Sequence, residues 1–225
     1  MIAALPIRDE YMVTTVDKES VKRKLKFDYL RVKNQPDSKA IDGMAELLSC
    51  MFTPHTPTQE IIQKAANIIH HQYRLRWVMI GLRDPLDGMY KYQVHSGMRP
   101  DAWENQRAKI YTAEDFNLVV PGKYAASEIS RLSRVYLEED NPLGQEALGT
   151  VNRPVLLGSR RKSESDALEA DFIDTLIIGP GNDFLGWIEY SGTVTGTYPD
   201  PMTIRHIELY SAILAVALWP RIGRA

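Results

Sequence analysis

Hydrophobic residues recur along the chain at two spacings, and each spacing predicts one type of element. Residues 171–190 hold two apolar, β-branched runs separated by the turn-forming residues 179–183, so this stretch is predicted to be a β-hairpin. A strongly apolar helix is predicted to follow, with Asp200 and Pro201 at its start and its end near Trp219, where Pro220 stops it. Its buried face should carry Ile204, Ile207, Ser211, Leu214 and Leu218.

The end of this helix, residues 212–219, is apolar on almost every side. A helix of that kind needs contacts on two sides, so we expect it to pack on its own sheet and on another helix. The second contact comes either from the helices upstream or from a second copy of the chain. The pattern therefore predicts a homodimer formed through the helical layer.

An amphipathic helix is predicted in an N-terminal extension, residues 1–36. The basic run 22–33 surrounds Val21 and Leu25, and acidic residues lie among its cations. Since no aromatic platform interleaves the run, a solvated helix face is favoured over a nucleic-acid or membrane surface.

Two further amphipathic helices are predicted before the first strand, separated by residues 53–56. The second of them should begin with a capping box formed by Thr56 and Gln59, with Pro57 at the first helical position. The apolar stripe of the first helix is Ile41, Met44, Ala45, Leu48, Met51 and Phe52, and that of the second is Ile62, Ala65, Ala66, Ile69 and Tyr73.

Residues 75–84 alternate in the manner of a strand, with Val78, Ile80 and Leu82 on one face and Trp77 and Met79 on the other. Both faces are apolar, so both should be covered. After a turn at residues 85–88, a half-buried strand is predicted at 90–97. Its apolar face should carry Tyr90, Tyr92 and Val94.

Residues 98–165 show little periodicity between the two hairpins. A short helix is predicted within 125–137, an edge strand at 151–158 around Pro154, and a solvated loop tip at Arg160, Arg161 and Lys162. The segment is rich in aromatic residues. It is either a lid over a pocket or ordinary core covering one face of the sheet.

Composition narrows the functional classes. The 225 residues are 44% hydrophobic and carry 27 Lys and Arg against 29 Asp and Glu, which suits one folding unit and gives no support to nucleic-acid binding. The single Cys50 excludes an intrachain disulfide and a multi-thiolate metal site, and the adjacent His70 and His71 point in directions about 100° apart. We therefore predict no metal site and no cofactor. With no secretory signal and no apolar run of roughly 20 residues, a soluble cytoplasmic protein without a membrane span is expected.

The order of elements resembles that of a GAF domain, a small sensor fold. The resemblance is carried by the helix-to-strand stretch 61–82, the hairpin 174–190 with Gly186 in its return strand, and the closing helix to Leu218. It implies an α+β fold in which an antiparallel sheet lies between a terminal helical layer and an irregular helical insert that covers a ligand. The implied domain is 37–220, with an insert at 98–165 and a tail at 221–225.

The resemblance implies a non-catalytic regulatory module. Members that act through pocket cysteines do not match a chain with only Cys50, and the glycines at 179 and 181 are not followed by the Lys-Ser/Thr pair of a phosphate loop. A small-molecule ligand is expected between the sheet and residues 98–150, with the signal leaving through the helical layer to a separate output protein. The predicted ligand-binding residues are Trp77, Met79, Trp103, Tyr111, Phe116, Trp187 and Glu189.

Two tryptophans beside one carboxylate in the predicted site suit a small ring or an amphipathic cation better than a phosphate.

Two other functions stay open. One is a scaffold whose pocket is filled by side chains and which only dimerises. The other is an enzyme whose site would gather His95, Asp171, Asp174 and Glu189.

Overall fold

A computed structural model describes residues 17–33, 35–116, 127–140 and 145–223. The chain divides into two compact units, the first ending at Lys39 and the second beginning at Ala40. In the first unit, helix α1 (Lys18–Val32) begins at Asp17, whose carboxylate accepts a hydrogen bond of 3.2 Å from the backbone amide of Ser20. Helix α2 (Pro36–Phe52) starts in the first unit and continues into the second.

The described residues of the second unit form one six-stranded antiparallel sheet and three further α-helices. Its strands lie in the order β3-β2-β1-β6-β5-β4, so two hairpins stand side by side and are joined through β1 and β6. The predicted α+β fold is confirmed. The elements are α3 (Thr58–Gln72), β1 (Val78–Arg83), β2 (Tyr90–Ser96), α4 (Pro100–Arg107), β3 (Ile110–Tyr111), β4 (Ser133–Tyr136), β5 (Phe172–Ile178), β6 (Phe184–Tyr190) and α5 (Pro201–Ile222).

Helices α3 and α5 cover one face of the sheet. The main hydrophobic core lies there, and it joins Ile80 and Ile188 of the sheet to Ile69 of α3 and Leu214 of α5. No helix of the described residues is long and apolar enough to cross a membrane.

Helix α5 starts where the sequence predicts and ends later. Asp200 is the N-cap, and its carboxylate accepts a hydrogen bond of 2.9 Å from the backbone amide of Thr203. The predicted end near Trp219 is wrong, because Pro220 lies inside the last turn. Gly223 N–H donates to the carbonyl of Trp219 at 2.8 Å in the ordinary helical pattern, and Arg83 Nη2 donates at 2.7 Å to the carbonyl of Ile222 at the end of the helix.

The apolar stripe predicted for α2 is largely on the wrong face. Ile41, Leu48 and Phe52 are 65%, 36% and 80% exposed, whereas the helix buries Ala40, Met44 and Leu47. The sequence holds two overlapping apolar stripes one residue apart, and periodicity alone does not say which one meets the core. The capping box predicted for α3 is also wrong, because its helix begins at Thr58 and the Thr56 hydroxyl donates to the carbonyl of Thr53.

Strand β2 contains a bulge that changes which side chains share a face. Ile80 pairs with Val94 and Gly81 pairs with Tyr92, so Gln93 is an extra residue between the two pairs. Val94 therefore packs with the helices, while Tyr90 and Tyr92 lie on the opposite face. The prediction that these three share one face is wrong for this reason.

The insert has a different local structure from the one predicted. Residues 133–136 form strand β4 instead of a helix, because backbone pairing with β5 from Ser133–Thr175 to Tyr136–Phe172 overrides a weak helical period. The predicted edge strand at 151–158 is a 3₁₀ turn, Pro154–Leu156. Residues 117–126, which include the start of the predicted helix, lie outside the described part of the chain.

Buried acidic residues hold the described part of the insert in place. Asp171 is fully buried, and its carboxylate accepts hydrogen bonds from the backbone amides of Glu138 (2.9 Å) and Leu168 (2.7 Å) and from the Tyr198 hydroxyl (2.7 Å). It also forms an ion pair with Arg161, whose Nη1 lies 3.0 Å from Oδ2. Burial raises the pKa of the Asp171 carboxyl, but these hydrogen bonds outweigh burial and leave the pKa below its usual range.

Arg161 is therefore not part of a solvated loop tip, as the sequence predicts for Arg160, Arg161 and Lys162. Its side chain is only 19% exposed, whereas Arg160 and Lys162 are exposed. A run of three cations gives no sign of which one has a buried carboxylate partner. The partner, Asp171, is ten residues further along the chain.

Candidate functional site

A cavity of about 280 Å³ lies between the insert and the face of the sheet that the helices leave open. Its aromatic lining is Trp77, Tyr92, Tyr111, Phe116, Tyr136, Phe172 and Trp187, and its polar lining is Gln106, Lys109, Asp115, Thr150, Glu169, Asp174 and Glu189. The volume is just below the usual range for ligand pockets, roughly 300–1,000 Å³.

The structure brings five of the seven predicted ligand-binding residues to this cavity: Trp77, Tyr111, Phe116, Trp187 and Glu189. Met79 belongs to the same cluster but is completely buried beneath the lining. Trp103 stands outside the lining, where its ring packs 4.5 Å from that of His95. The role of these residues in binding a ligand stays a prediction.

Strand alternation places the aromatic side chains on the cavity face of the sheet, and a glycine on the neighbouring strand leaves space for the largest of them, Trp187. The indole of Trp187 packs 4.6 Å from Phe116, 5.0 Å from Tyr92 and 5.7 Å from Tyr111, measured between ring centroids. On the neighbouring strand, Trp187 pairs with Gly81, and a β-carbon at Gly81 would meet the six-membered ring of the indole. The absent side chain lets the indole lie flat across the strand.

Changing Gly81 to alanine should displace the Trp187 ring. Because the added methyl would overlap the indole, we expect a loss of about 1–3 kcal/mol in the free energy of unfolding and a shift in the tryptophan emission spectrum. Urea unfolding and fluorescence measure the two effects. A matched control is Gly196→Ala, where a β-carbon meets open space and only the positive φ of 84° opposes it. An unchanged Gly81→Ala spectrum would show that the indole does not rest on Gly81.

Two carboxyl groups face each other at the centre of the cavity. Asp174 of β5 and Glu189 of β6 are directly paired across the strands and are 7% and 6% exposed. Glu189 Oε2 accepts hydrogen bonds from the Tyr92 hydroxyl at 2.6 Å and from Trp187 Nε1 at 3.4 Å. Among the described residues, neither carboxyl is in an ion pair, and Asp174 Oδ1 has no hydrogen-bond partner.

Burial and mutual repulsion make the pair retain a proton. Burial raises the pKa of Asp174 well above its usual range, and the charge of Glu189 raises it further, whereas nearby Arg134 lowers it. Burial also raises the pKa of Glu189, although hydrogen bonds from Tyr92 and Trp187 oppose the change. Two carboxyls paired across neighbouring buried strands cannot both ionise readily, so Asp174 and Glu189 keep one proton between them to a higher pH than either carboxyl would in water.

We expect Asp174→Asn to stabilise the protein increasingly as the pH rises. The folded pKa of Asp174 is raised, so its contribution to stability is complete below the unfolded pKa of about 3.9 and is lost as the pH rises toward the folded value. The uncharged amide has no such loss. The difference in unfolding free energy between variant and wild type should be near zero at about pH 4 and should grow by about 1.4 kcal/mol for each unit of pH until the pair loses its shared proton.

Chemical denaturation across that pH range measures this difference. The control is Glu114→Gln, which removes an exposed carboxyl outside the cavity lining and should leave the pH profile unchanged. Parallel profiles for Asp174→Asn and wild type would contradict a shared proton.

The four residues of the enzyme hypothesis do not all converge, because only Asp174 and Glu189 meet in the cavity. Asp171 is bound within the insert by Arg161 and two backbone amides. His95 shares the cavity face of the sheet with Glu189, but Met79 pairs with both and separates them. No group of three or more His, Cys, Asp or Glu side chains in the described part of the chain could hold a metal ion.

Solved structures of GAF domains share this fold, and the predicted resemblance is confirmed at that level. A GAF domain/HD domain protein from Geobacter sulfurreducens is 10% identical and covers 72% of this chain and 92% of its own, with a TM-score of 0.50. The GAF domain of a phosphoenolpyruvate-protein phosphotransferase from Coxiella burnetii is 12% identical, with coverages of 80% and 92% and a TM-score of 0.50. Another GAF domain structure is 11% identical, with coverages of 82% and 90% and a TM-score of 0.52.

No protein-family model and no curated protein sequence matches the chain. At identities of 10–12%, the likeness establishes the GAF-like fold alone.

Proposed function

We propose that this protein is a regulatory module that binds a small molecule in the cavity between its sheet and its insert. The observation that carries the proposal is the buried Asp174–Glu189 pair in the floor of that cavity. A buried carboxyl oxygen without a partner is costly, and such groups concentrate at functional sites. A scaffold with a filled pocket has no need of that cost.

The chain also contains a direct connection from the cavity to the helical layer. Two side chains of α3 bond the backbone of β2 on either side of Val94: Gln59 donates to the carbonyl of Gln93 and Gln63 to that of His95, both at 2.8 Å. Tyr92, which lines the cavity, is the residue just before this bulge. A ligand that moves Tyr92 therefore acts on a strand tied to α3, and the altered helical layer would be read by a separate output protein.

A metabolite screen that follows thermal unfolding and tryptophan fluorescence tests the proposal. A ligand present at about 100 times its Kd should stabilise the wild type by about 2.7 kcal/mol. Trp187→Ala and Glu189→Gln should abolish the response. Trp103→Ala is the matched control, because this tryptophan stands outside the cavity lining and its loss should leave the response in place. A stabilising ligand whose effect survives both cavity substitutions would place its site elsewhere.

A homodimer is the second proposed property, and exposed apolar stripes support it. Helix α5 exposes Leu209, Ala212, Val216 and Trp219 at the spacing of a coiled-coil seam, and α2 exposes Ile41, Ala45, Leu48 and Phe52. Val216 is 74% exposed and Phe52 is 80% exposed.

The free Cys50 thiol fits a reducing compartment, and we propose the cytoplasm as the place where the module acts.

The double substitution Phe52→Glu and Val216→Glu should convert the dimer to a monomer. Charges in an apolar interface lose their hydration without gaining partners, so the apparent mass from light scattering at micromolar concentration should fall by half. Val155→Glu is the control, because Val155 is 90% exposed on the insert and belongs to neither stripe. A monomeric mass for the wild type, unchanged on dilution, would rule the dimer out.

A further inference from the structure

The unpaired buried atoms of the cavity are hydrogen-bond acceptors, not donors. Among the described residues, the fully buried side-chain atoms of its lining without a hydrogen-bond partner are two oxygens, Asp174 Oδ1 and Gln106 Oε1. Both side chains are more than nine-tenths buried. A ligand that satisfies these atoms must itself donate hydrogen bonds, ideally from two N–H groups of one planar fork.

The charge of the cavity selects a cation. Four acidic side chains line it, Asp115, Glu169, Asp174 and Glu189, against one basic side chain, Lys109. Glu169 is already paired with Arg153 at 2.7 Å and with Arg76 at 3.4 Å. Lys109 offsets part of the charge of Glu189, but burial lowers the pKa of Lys109, and acidic groups outnumber basic ones in the described lining, which favours a cation over an anion.

The aromatic lining favours a cation with a ring. Tryptophan and tyrosine faces attract cations within about 6 Å of their centroids, and the attraction increases when water is excluded. The cavity volume of about 280 Å³ limits the guest to a single ring with a short polar arm.

We propose that the ligand is a small aromatic amidinium or primary ammonium ion, whose N–H groups bond the paired carboxyls of Asp174 and Glu189. This inference rests on the proposed ligand-binding function and adds the chemical class. The empty site holds one proton and one negative charge on the two carboxyls. When the cation enters, its N–H groups bond both carboxylates and the shared proton leaves to solvent, so one positive charge replaces another.

The exchange has a defined pH dependence. While the ligand stays protonated and the empty pair keeps its proton, affinity should rise about tenfold for each unit of pH. The other titratable or charged groups around the pair are Lys109, Arg134, Tyr92, Tyr111, Asp115 and Glu169. Burial lowers the pKa of Lys109 and raises the pKa values of Tyr92 and Tyr111, with Glu189 raising both tyrosines further, so the two tyrosines stay neutral donors.

Calorimetric titration with benzamidine tests the inference, because this probe carries one ring and a planar N–H fork and stays cationic near neutral pH. Titrations in two buffers of different ionisation enthalpy count the protons exchanged. We expect release of about one proton per bound benzamidine and a tenfold rise in affinity from about pH 6 to about pH 7. Benzyl alcohol, without charge, and benzyltrimethylammonium, without N–H groups, should each bind at least tenfold more weakly.

Asp174→Asn and Glu189→Gln should abolish proton release and lower benzamidine affinity at least tenfold. Glu114→Gln removes one negative charge from an exposed side chain outside the cavity lining and should change the affinity less than threefold. Thermal unfolding confirms that each variant is folded, and Asp174→Asn should be no less stable than the wild type.

Each contrary result has a different meaning. Binding of benzamidine without proton release, or unchanged by Asp174→Asn, would overturn the inference. Tighter binding of benzyl alcohol in the cavity would overturn the cationic class and leave the proposed function intact. If no probe binds, the inference fails, and a metabolite screen that also finds no ligand dependent on Trp187 would remove the proposed function with it.

Discussion

Replacing Asp171 with alanine should lower the free energy of unfolding by about 3–5 kcal/mol. The substitution removes one of the two carboxylates that bond the Arg161 guanidinium, which is only 19% exposed, and leaves the backbone amides of Glu138 and Leu168 without an acceptor. The loss should concentrate in the insert, because Asp171 is where three of its segments meet. Urea unfolding gives the total, and hydrogen exchange should show faster exchange in residues 145–171 than in the sheet.

The matched control for this prediction is Glu139→Gln. Glu139 bonds the same guanidinium at 2.8 Å, but its side chain is 50% exposed. An exposed ion pair is worth about 0–1 kcal/mol, so the control should cost far less. Equal losses for the two substitutions would mean that burial of Asp171 contributes little to the stability of the insert.

The second large effect is expected at Leu214. This residue of α5 is completely buried in the core between the helices and the sheet, and Ser211 beside it donates a hydrogen bond of 2.6 Å to the carbonyl of Leu176 in β5. Leu214→Ala should cost about 2–5 kcal/mol, from lost burial and from the cavity left behind.

Equilibrium denaturation measures this loss, with Met202→Ala as the control on the same helix. Met202 is 52% exposed, so its truncation should change stability by less than about 0.5 kcal/mol. A loss below about 0.5 kcal/mol at Leu214 would place the packing of α5 on a different face.

The sheet and its closing helix were predictable because their signals are local. A cluster of turn residues between two β-branched runs defines the β5–β6 hairpin, and Asp200-Pro201 marks the start of α5. Strand alternation also places Trp187 and Glu189 opposite Ile188, and the structure shows the same division, with Ile188 in the helical core and the other two at the cavity.

The remaining features depend on contacts between residues that are distant in the sequence, and the periodicity of hydrophobic residues does not encode such contacts. The bulge at Gln93 places Tyr92 at the cavity, and the alternation of apolar and polar residues in β2 does not indicate the extra residue. Asp174 appeared only as a catalytic candidate, because its position opposite Glu189 depends on the register of two strands. The insert is organised by buried ion pairs such as Arg161–Asp171, and the sequence shows these residues only as ordinary charges.

The two outer strands of the sheet restrict how other proteins can recognise it. The described edges are β3, with two residues, and β4, with four. A partner that docks by adding a strand needs a longer row of free backbone N–H and C=O groups than either edge offers. Recognition of this sheet from its sides is therefore disfavoured, and short edges of this kind also oppose the edge-to-edge stacking by which β-proteins aggregate.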